Sequence, residues 1–221
     1  MAAPDPQRQA PRLQRLSASW EPAALPPAVA LEHLPAAQLS QVAPEFSWVG
    51  ETQRHIGTLV HAWLARLSEA RVLPAPGEIA AHEAAVLAQL TRLGVAQRER
   101  ARAAQLVLTA LTQTLADERG RWLLDARQRA ARSELALTGG SAGRLRNIVI
   151  DRSFIDAQGT RWVIDFKTSR HEGGALQGFL DQELERYRGQ LATYVELASA
   201  LGPEPVRAGL YFPLLQAFRE L

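Results

Sequence analysis

Cysteine is absent from this chain of 221 residues, and lysine occurs only once, at position 167. Without cysteine there is no disulfide, no thiolate zinc site and no iron–sulfur cluster, which is consistent with a cytoplasmic protein. Every other basic side chain is an arginine. Arginine is a bulky planar fork that stays protonated, whereas lysine carries a compact ammonium whose pKa shifts on burial. A single lysine kept among arginines therefore indicates a chemical role for Lys167.

Several other features are also missing. No apolar run approaches the roughly 20 residues needed to span a bilayer, and the stretch 1–5 lacks the apolar core of a signal peptide. No G-x-x-x-x-G-K-[ST] pattern is present, so the sequence contains no nucleotide-driven motor of that type. The net charge of +2 does not by itself indicate nucleic acid. We expect a cytoplasmic protein that does not bind membranes.

The chain divides by composition into an arm and a body. Residues 1–50 are rich in proline, alanine and glutamine, with Pro26 and Pro27 among the breakers. This composition is typical of an extended arm or linker, with Phe46 and Trp48 docking on the body. Residues 51–221 are predicted to form a single domain, because a hydrophobic content of 47% and a charged content of 22% are those of a globular protein.

The spacing of apolar residues changes from helical to strand-like along the body. Apolar positions three and four apart predict helical segments at about 51–73, 77–93, 96–116 and 118–131. Alternation then predicts strands at 133–138, 145–155 and 160–168, with turns at 139–143 and 156–159. A helix at 176–201 and a strand at 206–212 follow. This order predicts an α/β sandwich with a mixed sheet.

The predicted hairpin at 145–168 carries two aspartates and the lone lysine. Asp151 and Asp165 are equidistant from position 158 in the turn, so a symmetric hairpin places them opposite each other, about 4.5–5.5 Å apart at Cβ. Two carboxylates at such a short distance repel each other unless a proton or a cation lies between them. Oxygen ligands of this kind suit Mg²⁺ or Mn²⁺. Lys167 shares a strand face with Asp165, where it can orient water and offset charge on phosphorus. The alternative is a solvated aspartate pair with Lys167 as its salt-bridge partner.

These residues resemble the motifs of the PD-(D/E)XK nuclease superfamily, and specifically the RecB-type nuclease domain of AddAB and RecBCD helicase–nucleases, whose motors are of the UvrD/Rep type. Asp151 matches the first motif aspartate, and Asp165-Phe166-Lys167 matches the D-x-K motif. Gly57-Thr58-Leu59-Val60-His61 resembles the helix motif that ends in histidine. Arg132-Ser133-Glu134-Leu135 resembles the acidic strand that precedes the hairpin. Residues 187–194 match the Y-x-x-Q-L-x-x-Y signature.

The resemblance implies a restriction-endonuclease-like core, made of a helix, a three-stranded antiparallel meander, a helix and a strand, here with extra N-terminal helices. It implies that His61, Asp151 and Asp165 hold a metal, with the Phe166 backbone carbonyl completing the ligands. Glu134 would support the site, either directly or by holding one of the metal-ligating residues in place. Without the resemblance, His61 is also typical of a structural histidine and Glu134 of an ordinary strand-end carboxylate.

The resemblance also implies a nucleic-acid surface. Tyr187, Gln190 and Tyr194 are spaced three and four apart, so they share a helix face, and in the family this helix touches the site and the DNA strand. A helix that packs its aromatics in the core has the same pattern. Four arginines are candidates for phosphate contacts or, equally, for a solvated rim: Arg144, Arg146, Arg152 and Arg170.

The function expected from the resemblance is that of a Mg²⁺- or Mn²⁺-dependent (exo)deoxyribonuclease in DNA end processing and recombinational repair. Its partners would be DNA, a helicase portion of the same polypeptide or complex, and a second nuclease subunit. Two alternatives stay open at this stage. One is a catalytically silent DNA-binding or scaffolding domain of the same fold, and the other is a nuclease of this fold that acts on RNA.

Overall fold

A computed structural model describes residues 48–141, 144–171 and 173–221 of the chain. Residues 1–47 of the predicted arm lie outside the described residues, and so do the Phe46 and Trp48 side chains that were expected to dock on the body. Residues 48–50, also assigned to the arm, belong instead to the first helix. Among the described helices, none is both long enough and apolar enough to cross a bilayer.

Four helices precede the sheet, as predicted. They are α1 (Trp48–Leu67), α2 (Glu83–Arg92), α3 (Gln97–Ala116) and α4 (Glu118–Leu124), with a 3₁₀ turn at Pro76–His82 before α2. The helix predicted at 118–131 ends earlier, because the Asp125 carboxylate accepts a hydrogen bond from the backbone N–H of Arg127 at 2.9 Å. Such a local side-chain bond offers the backbone an alternative to the helix.

The sheet has five strands in the order β1-β2-β3-β4-β5. They are β1 (Arg129–Ser141), β2 (Arg144–Ile155), β3 (Arg161–Phe166), β4 (Val206–Phe212) and β5 (Ala217–Glu220). Neighbours are antiparallel except β3 and β4, which are parallel and joined through α5 (Leu176–Ala198) and a 3₁₀ turn at Ser199–Leu201. The predicted α/β fold with a mixed sheet is therefore confirmed. The four residues of β5 were too few to predict from alternation.

The glycines at 139 and 140 were predicted to form a turn, but both lie within β1. A Cβ atom at Gly139 would lie 2.6 Å from Leu197 Cδ2. Glycine at this position therefore allows α5 to approach the strand closely, which is a packing role rather than a turn role.

Helices cover both faces of the sheet, so the core forms two layers. Trp162 and Ile164 on β3 pack on the side of α1 to α4. Val163 between them, with Leu210 on β4, packs on the side of α5. This alternation makes β3 buried along its whole length, as expected for a strand flanked on both faces by helices.

The alternation of side chains between the two faces of the sheet is interrupted once on β2, an irregularity that we call a slip. Ile150 packs on the α5 side, whereas Phe154 packs on the side of α1 to α4 although it is four residues further on. Arg152 also lies on this second side, where it bonds to the carbonyl of Leu123. Asp151 contacts His61 of α1, so Asp151 and Arg152 face the same way in succession.

A matching slip occurs on β1 at the same level. Leu135 packs on the α5 side, whereas Ser133 contacts Ser68, the residue that directly follows α1. Between them Glu134 has a φ of 48°, a left-handed conformation that costs a non-glycine residue about 1–3 kcal/mol. The result is that Glu134 and Asp151 both turn toward α1.

Arg152 is 2% exposed, so its guanidinium is used inside the protein. It donates to the carbonyls of Leu123 and Asp125 at 3.0 and 2.9 Å and to Ser133 Oγ at 3.3 Å. Two of these acceptors belong to the carboxyl end of α4, whose last carbonyls have no partner within the helix. Burial lowers the pKa of the Arg152 guanidinium to about 10. The predicted phosphate contact is therefore wrong for this residue.

Replacing Arg152 tests this account of the fold. We expect Arg152→Met to lower the free energy of unfolding by about 2 kcal/mol or more, because buried carbonyls lose their donors. The matched control is Arg146→Met on the same strand, where the arginine is exposed and the change should stay within about 0.5 kcal/mol. Urea denaturation measures both values, and equal losses in the two variants would contradict the structural role of Arg152.

Candidate active site

The candidate site lies where β2 separates from β3. Their pairing runs from Ile155 and Arg161 to Arg152 and Ile164, and this register places Asp151 and Asp165 at the next level, as the symmetric hairpin predicted. The ladder is replaced there by a side-chain bond, since the backbone N–H of Phe166 donates to Asp151 Oδ2 at 2.7 Å. The Asp151 carboxylate therefore takes the place of a backbone acceptor at the fork.

Three side chains from three elements converge at this fork and form what we call the metal triangle. His61 of α1, Glu134 of β1 and Asp151 of β2 each offer one ligand atom, all within 4.8 Å of one another. His61 Nδ1 lies 3.3 Å from Asp151 Oδ1. One imidazole nitrogen and two carboxylate oxygens are donors that suit divalent cations such as Mn²⁺.

Asp165 lies beside the metal triangle and has different partners. It is 4% exposed, and its Oδ1 accepts a hydrogen bond from Gln190 Nε2 at 2.7 Å. Lys167 Nζ is 2.7 Å from Oδ2, yet this buried oxygen accepts no hydrogen bond of regular geometry from the described residues. A buried carboxylate oxygen left in this way retains the capacity to bind a cation. The expected ligand set had Asp165 in it and Glu134 as support, whereas the geometry groups Glu134 with His61 and Asp151.

The three predicted residues of α5 do share one face, which is directed at Asp165 and Lys167. Tyr194 has one phenolic proton, and its oxygen lies 3.0 Å from the Val149 carbonyl and 3.3 Å from Asp165 Oδ1. The shorter contact takes the proton, and Gln190 Nε2 donates to the phenol at 2.6 Å. Tyr194 is only 5% exposed. It is thus placed to hold β2 and, through Gln190, Asp165, and the predicted contact of Tyr194 with DNA stays a prediction.

Tyr187 holds the lysine from the other side. Its ring centroid lies 3.6 Å from Lys167 Nζ, within the range of a cation–π interaction. The ammonium is thus held between an aromatic face and the Asp165 carboxylate, with its side chain 16% exposed.

The negative charge of Asp151 contributes to raised pKa values of two neighbouring carboxyl groups. Burial, followed by the charge of Asp151, raises the pKa of Asp165, against the opposing effect of Lys167. The same two causes raise the pKa of Glu134. Burial lowers the pKa of His61, but the hydrogen bond and charge of Asp151, with the charges of Asp165 and Glu134, outweigh it and raise that pKa above 6.5. The site thus has a surplus of negative charge that a cation would relieve.

Two clefts meet at His61. One, of about 690 Å³, is lined by Gln53, His61, Phe166, Lys167, Thr168, Ser169, Arg170 and Tyr187. The other, of about 490 Å³, is lined by Gly57, Thr58, His61, Ala62 and Glu134. The metal triangle is therefore reached from solvent on both sides of the imidazole.

The four candidate arginines are dispersed. Arg170 lines the larger cleft, and Arg152 is buried. Arg146 pairs with Gly139, whose Cβ position faces Leu197 of α5, so Arg146 lies on the strand face opposite Asp151. The side chain of Arg144 lies outside the described residues.

Sequence reasoning missed several residues near the site. Gln53 lines the cleft, and Ser68 contacts Ser133 across 65 positions of sequence. A serine after a helix and a serine in a strand form no pattern that would single them out, so only the fold reveals that they are in contact.

Comparison with known proteins agrees with this geometry. The sequence model of the PD-(D/E)XK nuclease superfamily matches residues 11–218. The chain belongs to the PD-(D/E)XK nuclease superfamily. Members of this superfamily are phosphodiester-hydrolysing nucleases that generally use divalent metals, so the resemblance at the level of the superfamily is confirmed.

Two further comparisons add little to the assignment. No curated protein matches the sequence at a significant level. Among solved structures, protein VC1899 from Vibrio cholerae matches with 12% identity and a TM-score of 0.28, over 74% of this chain and 47% of that chain. The PD-(D/E)XK chain thus spans less than half of the length of that protein, and a TM-score this low does not support a shared fold.

The electrostatics of the site predict how a metal stabilises the protein at different pH values. Without metal, the raised pKa values of Glu134 and Asp165 mean that their ionisation destabilises the fold above their ordinary pKa range. The contribution of His61 is present below pH 6.5 and is lost as the pH rises through its raised folded value. All three effects lower the stability of the metal-free protein as the pH rises from the ordinary range of carboxyl groups through the raised pKa of His61.

Metal binding needs these groups deprotonated, so we expect Mn²⁺ to raise the melting temperature more at pH 8 than at pH 5.5. At a concentration 100-fold above Kd the stabilisation is about 2.7 kcal/mol. Thermal unfolding with and without Mn²⁺ measures it, with Asp151→Asn expected to lose most of the effect. An increment that is equal at both pH values, or that persists in Asp151→Asn, would contradict the assignment of the ligands.

Proposed function

We propose that this PD-(D/E)XK protein is a divalent-metal-dependent deoxyribonuclease of the RecB type that processes DNA ends in recombinational repair. The observation that carries the proposal is the meeting of the metal triangle with the Asp165–Lys167 pair beside one open cleft. A set of metal ligands, a buried carboxylate and a cationic side chain next to it are the groups that phosphodiester hydrolysis requires.

His61, Glu134 and Asp151 would hold a Mg²⁺ or Mn²⁺ ion, and Asp165 would join them through Oδ2, the oxygen that also pairs with the Lys167 ammonium. The carbonyl of Phe166 as a further ligand stays a prediction. When bound, such an ion polarises a phosphoryl oxygen and lowers the pKa of a coordinated water.

The chain's own residues supply orientation and charge. Gln190 fixes Asp165 through Oδ1, which leaves Oδ2 directed at Lys167 and the cleft. Lys167, held on the ring of Tyr187, positions the attacking water and offsets the negative charge that develops on phosphorus. Because the ammonium is compact, it fits between the ring and the carboxylate, where a guanidinium fork would not.

The nucleic-acid strand would run along the larger cleft, past Gln53, Tyr187 and Arg170. Their amide, phenol and guanidinium groups suit phosphate and sugar contacts that do not depend on sequence. The RecB type is supported by the ordered motifs from His61 to Tyr194. A helicase portion of the same polypeptide or complex, with a second nuclease subunit, would supply the motor activity that this sequence lacks.

Two substitutions in the D-x-K motif test the proposal. We expect Asp165→Asn to lower metal-dependent cleavage by about 10³-fold, and Lys167→Arg by about 10²-fold although the charge is kept. The matched control is Glu185→Gln on α5, whose carboxylate is 69% exposed and paired with Arg188, and which should cleave like the unmodified protein. The assay measures cleavage of linear and of closed circular DNA in the presence of Mg²⁺ or Mn²⁺. A reaction with a metal chelator gives the background without metal.

The substrates separate the remaining alternatives. Degradation of linear DNA with resistance of the closed circle supports end processing. Activity on single-stranded RNA alone would replace DNA as the substrate, and Mn²⁺ binding without any cleavage would indicate a silent binding domain. Full activity in Asp165→Asn would overturn the proposed role of this motif.

A further inference from the structure

A chain of hydrogen bonds runs behind the metal triangle and joins the three elements that carry it. Arg152 Nη1 on β2 lies 3.3 Å from Ser133 Oγ on β1. Ser133 Oγ lies 2.5 Å from Ser68 Oγ, and Ser68 Oγ donates to the carbonyl of Ala65 on α1 at 2.6 Å. The chain therefore crosses from β2 through β1 to α1 in three bonds.

The direction of these bonds follows from the count of protons. Each serine hydroxyl has one hydrogen to donate. Because Ser68 gives its hydrogen to the Ala65 carbonyl, Ser133 must be the donor between the two hydroxyls, and Ser133 in turn accepts from Arg152. Every hydroxyl hydrogen in the chain is used, and bonds linked in this way strengthen one another.

Two links of the chain are sequence neighbours of ligands in the metal triangle, and its last acceptor lies one helical turn from the third. Arg152 follows Asp151, and Ser133 precedes Glu134. The terminal acceptor Ala65 is four residues after His61, about one turn along α1. Fixing the chain thus fixes the backbone beside all three ligands.

The backbone needs this support, because the metal triangle depends on an unfavourable conformation. Glu134 reaches α1 only through the slip on β1 and its φ of 48°, and such strain persists only where the surroundings enforce it. Ser133 and Arg152 occupy the slip on their two strands, and Arg152 is itself anchored on the carbonyls at the end of α4.

We propose that Arg152, Ser133 and Ser68 are positioning residues that set the spacing of His61, Glu134 and Asp151, so that the affinity for a divalent cation depends on side chains that do not touch it. The inference rests on the proposed metal site and deepens it. Partners behind metal ligands are worth about 10- to 100-fold in affinity when they are removed.

The test is titration of the full chain with Mn²⁺ by calorimetry at pH 8. Ser133→Ala and Ser68→Ala should each raise the Kd for Mn²⁺ about 10-fold or more. The double variant should be no worse than either single variant, because both break the same chain. The matched control is Ser153→Ala on β2, a fully buried serine whose Oγ has no partner among the described residues, and its Kd should not change.

Melting temperatures of the metal-free variants distinguish positioning from a purely structural role. A lower melting temperature with an unchanged Kd in both Ser133→Ala and Ser68→Ala would overturn the inference, and so would effects that multiply in the double variant. If Ser133→Ala does not fold, Ser68→Ala decides. Absence of Mn²⁺ binding by the unmodified protein would instead overturn the proposed function, and the inference with it, so the two failures are distinguishable.

Discussion

Repulsion between carboxylates is the constraint on which the site depends. Glu134, Asp151 and Asp165 converge from three strands, and the pKa values of Glu134 and Asp165 are raised because each is buried near the charge of Asp151. Folding alone does not favour such a cluster, since each ionised carboxylate has lost water that its neighbours do not replace. The fold assembles the carboxylates through strong local bonds: Phe166 N–H holds Asp151, and Gln190 holds Asp165.

The larger architecture can be understood as the means of keeping this cluster in place. Helix α1 brings His61 to one face of the sheet, and α5 brings Gln190 and Tyr187 to the other. The aspartates lie where β2 leaves β3, which is the point at which side chains from both faces can meet. A regular continuation of the ladder would have kept the two sets of groups apart, because neighbouring residues on a strand point to opposite faces.

The sequence was sufficient to predict the fold class, the hairpin, and the shared helix face of Tyr187, Gln190 and Tyr194. Each of these depends on the spacing of residues that are close together in the sequence. The family motif brought Glu134 to the site, but nothing in the sequence indicated its grouping with His61 and Asp151, and the internal role of Arg152 was missed. Strict alternation gives no sign that both strands slip at one level, and a left-handed glutamate has no local signature. An arginine in a strand is expected to be exposed unless its acceptors are known. Here the acceptors are the carbonyls of Leu123 and Asp125 at the end of α4, 29 and 27 residues earlier in the sequence.

The position of Lys167 has a consequence for protein chemistry. Apart from the terminal amine, it is the single primary amine in the sequence, and it lies at the edge of a cleft between an aromatic ring and a carboxylate. An acylating reagent directed at amines therefore has one side-chain target within these 221 residues. Lys167 is thus also a position at which a probe can be attached at the centre of the site.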